Sequence, residues 1–269
     1  MEILGYALAI LVGLTLGLLG GGGSILCVPI LFYLFDIEME KATAYSLFVV
    51  GVSSIAGTFK YIEEKLVNLT ALIVFGLPAL ISVWVNRKYI IKQIPDNLIE
   101  TSSFTLDKDT AIMFIFAVMM LLAARIMIKG REMTEDDEVK GSNINYPLVI
   151  LAGLIVGFLT SLVGAGGGFV IIPIMVSLFK MPTKRAIGTS LSIIMINSLF
   201  GFWGDVSAGT EIDWPFLMQF AGLAVVGIFI GIWLSHSIPG GKLKPFFGYF
   251  VLVIGAFILA ERIIAPLLN

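Results

Sequence analysis

Cysteine and histidine are almost missing from this chain: Cys27 and His236 are each the only residue of their kind among 269. A lone thiol rules out an internal disulfide and any cysteine-only metal cluster, and one imidazole leaves little for a metal site or a histidine relay. Charge is scarce as well. Asp, Glu, Lys and Arg make up 13% of the residues, where soluble domains carry about 25%. The net charge of −2 offers no basic surface to a nucleic acid. No H-E-x-x-H, no Gly-x-Ser-x-Gly and no carboxylate pair inside an apolar stretch occurs, so neither an enzyme nor a cofactor is implied.

Apolar residues are what the chain has in excess. They make up 58% of it, against about 45–50% in soluble domains, and the mean hydropathy is +1.01. The fold class expected is an all-α polytopic membrane protein, with the lipid bilayer as its first partner. A span needs about 20 apolar residues to cross about 30 Å of hydrocarbon. Helices are expected at about 3–19, 24–35, 42–59, 67–85, 110–128, 147–163, 168–179, 186–203, 214–234 and 245–265. The stretches 24–35 and 168–179 are too short to cross alone, and each follows a glycine cluster. The start, Met1-Glu2, lacks basic residues and its apolar run ends in glycines, so the first segment reads as retained. Arg87 to Asp109 reads as a loop, and 129–146, with five acidic residues from Glu132 to Glu138, as a solvated linker.

The strongest signal is an internal repeat. Laying Pro29 on Pro173, an offset of 173 minus 29 or 144, aligns GLLGGGGSILCVPILFYLF with SLVGAGGGFVIIPIMVSLF. Fourteen positions between Gly13 and Phe59 are identical at that offset, among them Gly20, Gly22, Gly23, Pro29, Ser46 and Ser54. The chain therefore reads as one transmembrane domain over 1–269, with a first repeat at about 1–128 and a second at about 147–269. Each repeat has a glycine-broken or re-entrant helix followed by about three transmembrane helices.

In lipid, a helix interruption is tolerated only where protein or a wet cavity satisfies the backbone. Glycine at the break lets the chain turn sharply and lets its backbone approach a ligand. The new helix, starting at Ser24 or Gly168, presents unpaired N–H groups and about half a positive charge, which suits an anion. Paired discontinuous helices in two repeats also point to a transporter binding site near the midplane. The substrate residues expected here are Gly20, Gly22, Gly23 and Ser24 with Gly164, Gly166, Gly167 and Gly168. Gly13, Gly17, Gly153 and Gly157 read instead as packing positions that let helices approach.

The next helix in each repeat supplies neutral donors. Ser46 and Ser53, and Ser190 and Asn197, are each seven residues apart and share a helix face. They are expected to hold an oxyanion, although bonding to neighbouring backbone accounts for them equally well. No ionisable residue falls well inside an expected span, so no proton relay is evident. Asp205 and Trp203 read as interfacial anchors at a span end, and Cys27, opposite Ile171 in the repeat, as a small apolar filler.

The pattern G-x(6)-G-x-G-G-x(5)-P occurs at Gly13, Gly20, Gly22, Gly23 and Pro29 and again at Gly157, Gly164, Gly166, Gly167 and Pro173. It resembles the TauE/SafE family of sulfite exporters and toluene sulfonate uptake permeases, over essentially the whole chain. That resemblance implies a transporter of sulfite, thiosulfate, sulfoacetate or related organosulfonates in the bacterial cytoplasmic membrane. Ser24 stands where the second cluster has Gly168.

Hairpin breaks would make the repeats inverted, and an N-terminus outside then puts 11 of 17 basic residues inside; fully crossing breaks put 10 inside. The short helices favour hairpins. The function expected is secondary transport of a small anion, with an anion channel as the alternative. Export fits a cell negative inside, because the membrane potential contributes about 2.3 kcal/mol per charge per 100 mV. Gly23→Val or Gly167→Val is expected to abolish transport in proteoliposomes while leaving the chain folded.

Overall fold

A computed structural model of the chain describes residues 2–21, 23–95, 97–101, 104–129, 144–235 and 240–261. The described helices are α1 (Glu2–Leu19), α2 (Ser24–Phe35), α3 (Met39–Glu63), α4 (Leu69–Ile90), α5 (Lys108–Lys129), α6 (Tyr146–Val163), α7 (Gly168–Leu178), α8 (Thr183–Ser207), α9 (Trp214–Ser235) and α10 (Gly240–Leu259). Six of the described helices, α3, α4, α5, α6, α8 and α9, are long and apolar enough to cross a membrane. The expected acidic linker lies largely outside the described residues.

The helix ends recur at the sequence offset. Adding 144 to the bounds of α1, 2 and 19, gives 146 and 163, the bounds of α6; adding it to those of α3, 39 and 63, gives 183 and 207, the bounds of α8. Caps set some of these ends. Asn68 and Asn145 each accept the N–H three residues on, at 3.0 and 3.2 Å, opening α4 and α6. Asp36, in the left-handed region at φ 54°, closes α2.

Two pairings place the site. α1 and α2 fold back on each other, so that the Phe35 ring at the end of α2 meets Tyr6 near the start of α1, with ring centroids 5.6 Å apart. α3 and α8 cross antiparallel at the most buried part of the bundle: Gly188 lies against Tyr61, Gly51 against Leu199, and Gly201 against Leu47. Hairpins flank this crossing. Gly13 and Gly17 of α1 lie on the α9 backbone at Ala224 and Ile228, while Gly153 and Gly157 of α6 lie on the α4 backbone at Phe75 and Ala79. A side chain at any of the four would push those backbones apart, which bears out their reading as packing positions.

The outward surface suits lipid. Leu69, Ile73, Leu77, Ile81 and Val85 make one exposed stripe at four-residue spacing along α4, and Phe229 and Trp233 do the same on α9. One expectation fails here. The chain does not leave the helix at Arg87: helical turns continue through Ile90 to Gln93, followed by a β-hairpin of β1 (Asn97–Thr101) and β2 (Phe104–Asp107).

The antiparallel crossing fixes which loops share a side. In a chain whose Cys27 is replaced by Ser, cysteines at Glu38 and Glu211 are expected to react with an impermeant maleimide from one face of the membrane. Cysteines at Glu64 and Lys180 react only from the other. Labelling of Glu38 and Glu64 positions from the same face contradicts the described pairing.

Candidate functional site

Both breaks open alike. Gly20 and Gly164, at φ 63° and 70°, end α1 and α6 in the left-handed region, and their N–H groups donate to Leu16 and Thr160 at 2.8 and 3.0 Å. Gly21 at φ 133°, and Gly166 and Gly167 at 63° and 78°, carry the turn onward into α2 and α7. Glycine is required there because L side chains rarely adopt such backbone. The two breaks meet: a Cβ on Gly21 would stand 2.6 Å from the Gly168 Cα. Gly22 lies outside the described residues.

Each described glycine of the breaks also has a packing role. Gly20 lies against Ile187, Gly164 against Thr43, Gly167 against Thr160, and Gly23 against Thr15 and the backbone of Leu16. A Cβ on Gly166 would stand 2.6 Å from the Ser198 hydroxyl oxygen. This corrects one expectation. A valine at Gly23 collides with backbone and one at Gly167 is strained by its positive φ, so these variants are expected to misfold rather than lose transport alone.

The hydroxyls divide into two groups. Ser24 donates to the Gly21 carbonyl at 2.8 Å, and Ser190 to the Gly20 and Ile187 carbonyls at 2.7 and 2.8 Å, so both are engaged in holding the breaks. Ser46 makes no conventional hydrogen bond, and the Cys27 thiol lies beside it. Ser53, Ser54, Ser198 and the Asn197 side-chain oxygen are buried without a partner among the described residues. They are related by the offset, since 53 plus 144 is 197 and 54 plus 144 is 198. The N–H groups of Gly166 and Gly167 find no backbone acceptor among the described residues either. Open hydroxyls and backbone N–H groups, with one amide oxygen, thus collect where α3, α8 and the second break converge.

Sequence reasoning missed a charged pair. Arg87 is 0% exposed; its Nη1 donates to Asp205 Oδ2 at 3.1 Å and to the Thr43 hydroxyl at 3.0 Å. Asp205 is therefore not an interfacial anchor, whereas Trp203 beside it is exposed as an anchor would be. Near the N-terminal end of α3, Phe35, Asp36, Ile37, Glu38, Lys41, Tyr45, Asp213 and Phe216 line a cavity of about 400 Å³. Its three carboxylates against one lysine give it no attraction for an anion.

A hydroxyl without a partner adds nothing to the fold, so Ser198→Ala is expected to keep or raise the melting temperature in detergent. Ser190→Ala, which frees the Gly20 carbonyl, is expected to cost about 1 kcal/mol. A large loss on Ser198→Ala would show that the hydroxyl is bonded after all.

The family model described as "Sulfite exporter TauE/SafE" matches residues 5–258. A probable membrane transporter protein of Methanocaldococcus jannaschii is 28% identical over 94% of this chain and 94% of its own length. One from Xylella fastidiosa is 26% identical over 93% and 91% of the two chains, and the probable membrane transporter protein YunE of Bacillus subtilis 25% over 96% and 98%. No solved structure matches. With a family model covering nearly its whole length and relatives that match end to end, this chain belongs to the TauE/SafE family of membrane transporters, a multi-pass membrane protein and not an enzyme.

Proposed function

We propose that this transporter moves a small sulfur-containing oxyanion, such as sulfite, thiosulfate, sulfoacetate or a related organosulfonate, outward across the cytoplasmic membrane. The observation that carries the reading is the set of buried, unpartnered groups Ser53, Ser54, Asn197 and Ser198 at related positions of α3 and α8. A buried hydroxyl without a partner costs free energy, and an anion that accepts from Ser53, Ser54 and Ser198 removes that cost. Three hydroxyls and the Asn197 amide are neutral, so they discriminate an anion by hydrogen bonding rather than by charge. Amides of the glycine breaks add to them as at a helix N-terminus.

The duplicated architecture supports alternating access. The repeat at offset 144, the helix ends that recur at it and the antiparallel course of α3 and α8 fit two inverted repeats. The α1–α2 and α6–α7 pairs then act as re-entrant hairpins whose tips, at Gly21 and Gly168, meet near the bilayer midplane. The substrate contacts in this reading are Ser46, Ser53, Ser54, Asn197 and Ser198 with the backbone of Gly20, Gly22, Gly23, Gly164, Gly166, Gly167 and Gly168, while Ser24 and Ser190 shape the first break.

In proteoliposomes loaded with sulfite, the Ser53→Ala/Asn197→Ala double variant is expected to lower efflux at least about tenfold, as the loss of hydrogen bonds to a charged ligand does. Its melting temperature stays near that of the parent chain. Unchanged efflux sinks the site, and flux that rises linearly without saturating assigns the chain to the channel class instead.

A further inference from the structure

The Arg87–Asp205 pair is not explained by the crossing of α3 and α8. Guanidinium offers five donors in a planar fork, and the edge formed by Nε and Nη2 grips two oxygens of an oxyanion at once. Here that edge is idle: Nε and Nη2 are buried and find no partner among the described residues, while Asp205 and Thr43 both sit on Nη1. A pair kept only for stability gains most when the fork is filled, since a buried cation loses its hydration and is offset only by good geometry.

The location is equally specific. Arg87 lies one residue before Lys88, whose ammonium rests over Trp84 and Tyr89 at 4.8 and 5.3 Å on the outer side of α4. Such aromatic residues mark an interface, so Arg87 faces inward at one mouth of the bundle. Thr43, which it touches, is the residue packed on Gly164 of the second break. The repeat-related positions carry no such pair. The positions related by 144 to Arg87, Thr43 and Asp205 are Gly231, Ile187 and Tyr61.

We infer that Arg87 is an oxyanion-binding station at this mouth, and that Asp205 holds its guanidinium as an internal stand-in which an incoming anion displaces. The class of ligand is a sulfite- or sulfonate-like group with two oxygens able to meet Nε–H and Nη2–H together. Displacement of Asp205 is needed because an added anion beside a retained carboxylate would leave the buried site net negative. This inference rests on the anion-transport reading, but its residues are separate from the α3–α8 crossing.

The test uses the purified full-length chain in detergent, titrated with sodium sulfite or sodium thiosulfate against sodium chloride at equal ionic strength, with melting temperature as readout. Asp205→Asn leaves the guanidinium unpaired, so its melting temperature falls in chloride and recovers in the oxyanion. Its apparent affinity is at least about tenfold tighter than that of the parent chain, because the internal competitor is gone. Arg87→Gln weakens the affinity at least about tenfold, in line with the loss of charge-assisted bonds. If Asp205→Asn does not fold, the neutral Arg87→Gln/Asp205→Asn variant carries the test, and parental affinity in it overturns the inference. Equal affinity of Asp205→Asn and the parent overturns it as well. Ser53→Ala/Ser198→Ala separates the two readings: loss of binding there with none in Arg87→Gln leaves the crossing alone. No response of any chain to either oxyanion overturns both.

Discussion

A polar group surrounded by hydrocarbon must find a partner, and everything distinctive in this protein follows from how that demand is met or left unmet. Helices satisfy nearly all of the backbone internally, which is why the described membrane-spanning elements are helical. Where the helices break, after Leu19 and after Val163, the chain reverses into a second short helix, and at the first break the Gly21 and Gly20 carbonyls are taken up by Ser24 and Ser190. Many of the side chains without partners among the described residues share two helices. Ser53, Ser54, Asn197 and Ser198 lie on α3 and α8, and the idle guanidinium edge of Arg87 lies between the same two helices at one end. Buried side chains left open in this way call for a partner from outside the fold, which is what the proposed anion supplies.

Small residues make this arrangement possible. Gly13 and Gly17 let α1 lie on α9, and Gly153 and Gly157 let α6 lie on α4, so each hairpin is braced by a helix from the opposite half of the chain. Since 13 plus 144 is 157, the two braces stand at positions related by the same offset. The two hairpin tips touch at Gly21 and Gly168 without a side chain between them.

Much of this was legible in the sequence. Glycine and proline spacing placed the breaks and the starts of α2 and α7, because only a helix ending at those residues accounts for two clusters in register. Ser53 and Asn197 stood out by spacing, and Ser54 was visible as identical to Ser198 at the repeat offset, though spacing by sevens passed over it. Other features were hidden for physical reasons. Arg87 follows an apolar run and precedes Lys88, a pattern that reads as the end of a span; only the fold reveals that one points inward and the other outward. Its partner Asp205 is 118 residues away, and no local pattern announces a pairing at that distance. Ser24 and Ser190 matched the expected substrate residues in type and spacing, yet each has a carbonyl within a turn, and that local bond takes the hydroxyl.

The account stands on an anion resting among the open donors of α3 and α8. The most direct measurement is a diffraction structure of the protein soaked in selenite, an oxyanion whose selenium is located by anomalous scattering. A peak within hydrogen-bond reach of Ser53, Ser54 or Ser198 is the predicted result. Selenium found only on the outer surface, with the crossing closed and dry, would contradict it.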